Sequence, residues 1–322
     1  YKKEHRNEIL YCFFEQYIAR KQWDALKKYA NSKGISIIGA LPFYTGLDSA
    51  DVWAAPELFQ IDGSFRPTAL PAVPPGPLAK EGHVLKNPLY QWNAMLKSNF
   101  LWWRRRFMDS LQQFDVVYID WLREIESSYI VPAGSQSAKK GRTVKGPGAE
   151  FTTAIHHAFP SAKVIADVSG CDAAQEKALL ERSGYTGTRV VQCSFNSAYP
   201  CTELPYNYEQ DVVVYTSLDG SGAGTWPSSV SAADKQAAAA YLAVNKQNGW
   251  SAAFARAALT SAPDTAIVPM SDYLDFDDEG GAERKSGGKS ASTGQLSLKV
   301  LNTKLADKIR FLAAVSGRLA KK

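Results

Sequence analysis

Asp115-Val116-Val117-Tyr118-Ile119-Asp120 reads as a short buried strand that ends on a carboxylate. Val, Tyr and Ile favour a pleated backbone, and alternate residues of a strand share a face. Tyr118 and Asp120 therefore lie on one side, with Asp120 at the C-terminal end. In a β/α barrel the C-terminal strand ends are where reacting groups gather. Asp120 is accordingly a candidate nucleophile. The residue two positions before it decides how such a carboxylate is tuned. Here that residue is Tyr118, which brings no positive charge.

Working outward, five more runs rich in Val or Ile read as short strands: residues 35–44, 163–168, 188–193, 211–217 and 265–272. Helical stretches fall at 9–30, 100–114, 173–183, 232–247 and 305–319, and Ser231 and Asp234 are placed to cap and charge the start of the fourth. Strands alternating with helices argue for a parallel sheet with right-handed crossovers. Six strands suit an open doubly wound sheet or part of an eight-stranded barrel. Three segments read as loops: Pro-rich 67–77, basic and Gly-rich 128–148, and 280–294, dominated by Gly, Ser and Lys. No internal repeat is present, which excludes a solenoid.

The chain has 322 residues, 45% of them hydrophobic, enough to bury a sizeable core. A net charge of +5, with only short clusters such as Arg104-Arg105-Arg106, lacks the basic stripe of a nucleic-acid enzyme and reads as solvated surface. Cys12, Cys171, Cys193 and Cys201 form no C-x-x-C pair and read as reduced core thiols. No apolar run approaches the ~18 residues of a membrane span. The chain opens at Tyr1 without Met, so a true N-terminus and any targeting peptide are expected upstream. His5, His83 and the adjacent His156-His157 have no ligand spacing for a metal. The acidic run 275–279 lacks a calcium-loop pattern. Gly220-Ser221-Gly222-Ala223-Gly224 lacks a third glycine at the offset a dinucleotide loop needs, and Pro227 interrupts the helix that should follow. No metal or cofactor is expected.

Longer motifs carry a family resemblance. Ile38-Gly39-Ala40-Leu41-Pro42-Phe43-Tyr44 is followed by Asp48-Ser49-Ala50-Asp51-Val52-Trp53, Asn87-Pro88-Leu89-Tyr90 with Trp92, and Trp102-Trp103-Arg104. Pro132-Ala133-Gly134, Gly141-Arg142, Lys145-Gly146-Pro147-Gly148, Leu204-Pro205 and Val214-Tyr215-Thr216 continue the series. In order and spacing across nearly the whole chain, these resemble the amylomaltases, the 4-α-glucanotransferases of glycoside hydrolase family 77. The resemblance implies a (β/α)8 TIM barrel. The chain would supply the last six βα units as one domain over residues 1–322, with insertions at about 60–110 and 128–150. The first two units have no counterpart.

The resemblance also implies a retaining transfer chemistry. A carboxylate attacks the anomeric carbon, a carboxylic acid protonates the leaving oxygen, and the two lie about 5–5.5 Å apart. The family's nucleophile strand reads R-x-D followed by His. Here it is Tyr118-Ile119-Asp120-Trp121, so the carboxylate stays and its arginine is gone. An arginine beside a carboxylate lowers its pKa and fixes its geometry. The acid/base motif I-A-E-D is Ile165-Ala166-Asp167-Val168, with Glu shortened to Asp167. A shift of ~1 Å at a reacting group can cost roughly 100-fold. In the T-H-D-N motif the third carboxylate falls on Gly220, with Asp219 one residue away. The family Asp after Ile-Gly is Ala40, and a Trp after Gly-Arg is Thr143. Sugar contacts carried over by resemblance fall on Tyr44, Asp48, Trp53, Asn87 and Arg284.

Three functions follow as alternatives. The first is a catalytically degenerate relative kept as a structural or interaction subunit, with other protein subunits covering the open barrel edge. The second is a working α-glucan transferase using Asp120, Asp167 and Asp219. The third is a non-catalytic glucan-binding module. The resemblance suggests a plastid or cytoplasmic home rather than secretion, and α-glucan as a possible ligand.

Overall fold

The computed structural model describes residues 1–76, 80–168, 173–197, 203–217, 223–245, 249–274 and 301–319. In chain order the elements are α1 (Arg6–Ser32), β1 (Ile38–Leu41), α2 (Ala50–Ala54), β2 (Ala69–Val73), β3 (His83–Val84), α3 (Trp92–Lys97), α4 (Leu101–Gln113), β4 (Val116–Ile119), β5 (Ser127–Pro132) and β6 (Arg142–Lys145). There follow α5 (Ala149–Ala158), β7 (Val164–Ala166), α6 (Ala173–Ser183), β8 (Thr188–Val190), β9 (Val213–Tyr215), α7 (Ala232–Leu242), α8 (Gly249–Thr260), β10 (Thr265–Ile267), α9 (Met270–Leu274) and α10 (Thr303–Val315).

All six runs read as strands from the sequence are strands, and all are parallel. They form two three-stranded ladders, β1-β4-β7 and β8-β9-β10, rather than one six-stranded ladder. Each strand is shorter than its apolar run. β1 stops before Pro42 and β10 stops before Pro269, because proline has no N–H to donate to a ladder. Residues 270–272, expected as strand, lie in the helix α9. The fourth helical stretch, expected to reach Gln247, ends at Leu242, since Ala243 turns left-handed at φ 51°. Ser231 caps that helix as its type predicts, its Oγ accepting from Asp234 N at 3.1 Å.

Two compact units form. One comprises Tyr1–Pro75, Ala79–Asp167 and Leu179–Tyr185, and the other Gly76–Leu78, Val168–Ala178 and Thr186–Lys322. In the first, β4 alternates as its sequence requires: Val117 and Ile119 are fully buried, whereas Val116 and Tyr118 are half-buried. α4 packs on β1 and β4, and its Trp103 and Phe107 are fully buried. β1 passes so close to this layer that a Cβ at Gly39 would overlap the ring of Phe114. The regions expected as insertions contain β2, β3, β5 and β6, which pair antiparallel in the order β3-β2-β5-β6. In the second unit, Val191, Val214, Trp226, Ala238 and Phe254 form the core under α7 and α8.

α1 buries none of its residues. It is held by polar contacts: Trp23 Nε1 donates to Gln113 O at 2.9 Å, and Lys27 Nζ lies 3.5 Å from Asp115. Tyr11, Phe13, Phe14 and Tyr17 are exposed on it. Cys12, expected in the core, is exposed there too, because the helix carrying it has no buried face. Cys193 is half-buried, and Cys171 and Cys201 lie outside the described residues. No helix among the described residues is long and apolar enough to cross a membrane.

Candidate functional site

The register of the first ladder brings two of the candidate carboxylates together. Ile119 of β4 is paired with Ala166 of β7, so Asp120 and Asp167 are the next residues on adjacent parallel strands. The backbone locks this end: Asp167 N donates to Ile119 O at 2.9 Å, and Leu122 N donates to Asp167 O at 3.1 Å. From the loop after β1, Phe43 N donates to Asp120 Oδ1 at 2.5 Å. The three strand ends thus converge on Asp120.

Asp120 is tuned upward. Burial pushes its carboxyl above the ordinary carboxylate range, and the charge of Asp167 adds to the rise. The Phe43 N–H and the charge of Arg106 pull in the other direction. Among the described residues no arginine or lysine forms an ion pair with it. Tyr118 sits on the same face of β4, two residues back, and supplies no cation.

Arg106 had been grouped with a solvated basic cluster, and the structure corrects that reading. Its guanidinium lies 4.8 Å from the ring centres of both Trp102 and Trp103, and Nη2 donates to Pro42 O at 2.8 Å. Nη1 is buried and has no hydrogen-bond partner among the described residues. The signal was present in the spacing, since Trp102 and Trp103 stand four and three residues before Arg106 on one helix face.

A second buried carboxylate, Glu124, escaped the sequence reading. It is 2% exposed, accepts from Tyr44 Oη at 2.7 Å and lies 3.5 Å from Arg123 Nε. Burial raises its pKa, and the hydrogen bond from Tyr44 pulls in the other direction. Tyr44 is raised far above an ordinary phenol, first by burial and then by Glu124. Nothing in a single Glu on a polar stretch signals that it will be buried, because its partner lies 80 residues away in sequence.

Asn87 uses its amide to donate to Thr45 O at 2.7 Å, a loop-holding role. Trp53 is 78% exposed, and Asp48 is exposed. Asp219 and Arg284 lie outside the described residues. In the second unit, the end of β9 is fixed by Asp272. This fully buried carboxylate accepts from Thr216 Oγ1 at 2.6 Å and from Ala223 N at 2.7 Å. Among the described residues no group of three His, Cys, Asp or Glu side chains is placed to hold a metal ion.

Comparison with known proteins agrees with this architecture. The glycoside hydrolase family 77 model, described as 4-alpha-glucanotransferase, matches residues 1–282. A 4-alpha-glucanotransferase of Clostridium butyricum is 30% identical over 99% of this chain and 66% of its own length. The chloroplastic/amyloplastic 4-alpha-glucanotransferase of Solanum tuberosum is 31% identical over 95% of this chain and 54% of its own. The structure of an amylomaltase from Streptococcus agalactiae in complex with acarbose superposes with a TM-score of 0.88. It is 25% identical and covers 99% of this chain and 65% of that one. The chain thus spans between half and two thirds of these relatives. With its motifs, its parallel strands and its paired strand-end aspartates, the chain belongs to the 4-alpha-glucanotransferase family, the amylomaltases of glycoside hydrolase family 77.

Proposed function

We propose that this protein is a catalytically degenerate amylomaltase-type protein, retained for interaction rather than for glucan transfer. Its six parallel strands correspond in this reading to the last six βα units of a (β/α)8 barrel in one domain. The observation that carries it is the state of Asp120. A nucleophile must be ionised, and an arginine at position 118 would hold it so. Tyr118 stands there instead, and burial moves the carboxyl the wrong way. Shortening of the acid/base position to Asp167 compounds the loss. Each charge-assisted contact removed from such a site costs about 3–4 kcal/mol of transition-state stabilisation.

In this role β1 and β10, the outer strands of their ladders, would be covered by further strands of this polypeptide or by another subunit. The exposed aromatic residues of α1 support a partner of that kind. A plastid or cytoplasmic home fits, a chloroplastic/amyloplastic relative being among those matched.

The adjacency of Asp120 and Asp167, with Arg106 acting on the first, favours a second reading as a working transferase. The two are separated by incubating the purified protein with maltotriose and resolving the products by chain length. Absence of longer glucans, in wild type and Asp120→Asn alike, is the expected result. Production of longer glucans that disappears in Asp120→Asn would overturn it.

A further inference from the structure

A cavity of about 300 Å3 lies beside the antiparallel sheet of the first unit, and Asp120 and Asp167 are not among its lining residues. Four of its wall residues follow from strand alternation, and Lys145, the last residue of β6, lines it as well. Ser128 and Ile130 share one face of β5, and their cross-strand partners Val144 and Arg142 share the matching face of β6. The rings of Tyr44 and Trp92 line the other side. Tyr44 is held in place from behind, by its hydroxyl bond to buried Glu124 and by the parallel ring of Tyr90, 6.1 Å away and tilted by 8°.

Tyr44, Gln60, Tyr90 and Ser128 spend their polar groups on the protein itself, and four other polar side chains of the lining do not. Arg142 and Lys145 are exposed and form no ion pair among the described residues. The side-chain amides of Gln91 and Asn93 make no hydrogen bond among those residues either. All four line the cavity. Two cations with no ion-pair partner among the described residues call for an anion, and a guanidinium is shaped to grip phosphate oxygens. Aromatic rings and amides suit the C–H face and the hydroxyls of a sugar ring. The volume lies at the low end of the roughly 300–1,000 Å3 typical of ligand clefts, so the occupant is one small ring rather than a glucan chain.

We propose that this cavity is a binding site for a phosphorylated hexose, with Arg142 and Lys145 on the phosphate and Tyr44 and Trp92 against the sugar ring. The site stands whether or not the Asp120–Asp167 pair turns over.

Calorimetric titration of the whole protein with glucose 6-phosphate, glucose, inorganic phosphate and maltotriose tests it. Glucose 6-phosphate is expected to bind at least 10-fold more tightly than each of the other three. The double variant Arg142→Gln/Lys145→Gln, whose side chains are exposed and unpaired, is expected to fold normally and to lose at least 10-fold in affinity for glucose 6-phosphate. Trp92→Leu should weaken glucose 6-phosphate more than inorganic phosphate. Equal binding of glucose 6-phosphate and inorganic phosphate would reduce the cavity to a general anion patch and overturn the proposal. So would equal binding of glucose, preference for maltotriose, or undiminished affinity in the double variant. An unchanged melting curve confirms that the variants are folded.

Discussion

The backbone N–H of Phe43 donates a 2.5 Å hydrogen bond to Oδ1 of Asp120, joining the loop after β1 to the end of β4. The carbonyls on either side of that N–H are engaged too: Pro42 O accepts from Arg106, and Phe43 O accepts from the buried hydroxyl of Tyr90. One short loop therefore reads the state of the carboxylate and of the guanidinium together.

The two aspartates at either end of the β4 run should respond to acid with opposite signs. Asp115 accepts from Ile37 N at 2.8 Å and from Asn31, which holds its pKa below the ordinary range. Its contribution is present above the unfolded value of about 3.9 and is lost as pH falls through the folded pKa. Asp120 is raised, so the folded protein keeps that proton longer than the unfolded chain. Stability then declines as pH rises from about 3.9 through the folded pKa. Urea midpoints measured from acid to neutral pH should show Asp115→Asn weaker at neutral pH with a shallower acid loss. Asp120→Asn should gain on wild type as pH rises. The same slope in both variants would refute this assignment.

Arg106 is expected to matter where its neighbours do not. Replacing it with Met removes a charged hydrogen bond to Pro42 and the contact with two indoles, a loss of about 2–3 kcal/mol. Arg105→Met, on the exposed side of the same helix, should stay within about 0.5 kcal/mol of wild type. Chemical denaturation of the two variants side by side decides it. Removal of Arg106 should also lift the Asp120 pKa further, visible as a steeper pH dependence that Asp120→Asn abolishes.

In the second unit the Asp272 anchor should be costly to disturb. Thr216→Val keeps the shape and removes the donor, leaving a buried carboxylate short of one partner, at about 1–3 kcal/mol. Hydrogen exchange should report faster opening at the end of β9 and at Ala223. Unchanged protection there would mean that Asp272 is not what holds this strand end.

Much of the fold was legible because it rests on local pattern. The Val- and Ile-rich runs marked all six parallel strands, and Ser231 marked a helix start. What was missed depended on groups far apart or on single backbone angles. The ladders end where Pro42 and Pro269 withhold a donor, although the apolar run continues. The helix from Ala232 stops because one alanine turns left-handed, which composition does not announce. Asp120 was found because it ends a strand, and Asp167 because it falls on a motif of the family. Glu124 was not, because its burial is made by Tyr44 and its neighbours. Cys12 looked like a core thiol by residue type, and only its exposed place on α1, a helix with no fully buried residue, shows otherwise.

The bare backbone at Gly39 constrains the order in which this protein can change. Any side chain at position 39 would collide with Phe114, beside the register that fixes β1 against β4. A mutation at 39 is closed to a lineage until position 114 has already shrunk, while shrinking 114 first leaves a void that is survivable but costly. The pair is therefore inherited as one unit, with a single permitted direction of travel. Among descendants of this sequence, a residue larger than glycine at 39 should be found only where the aromatic ring at 114 has been lost.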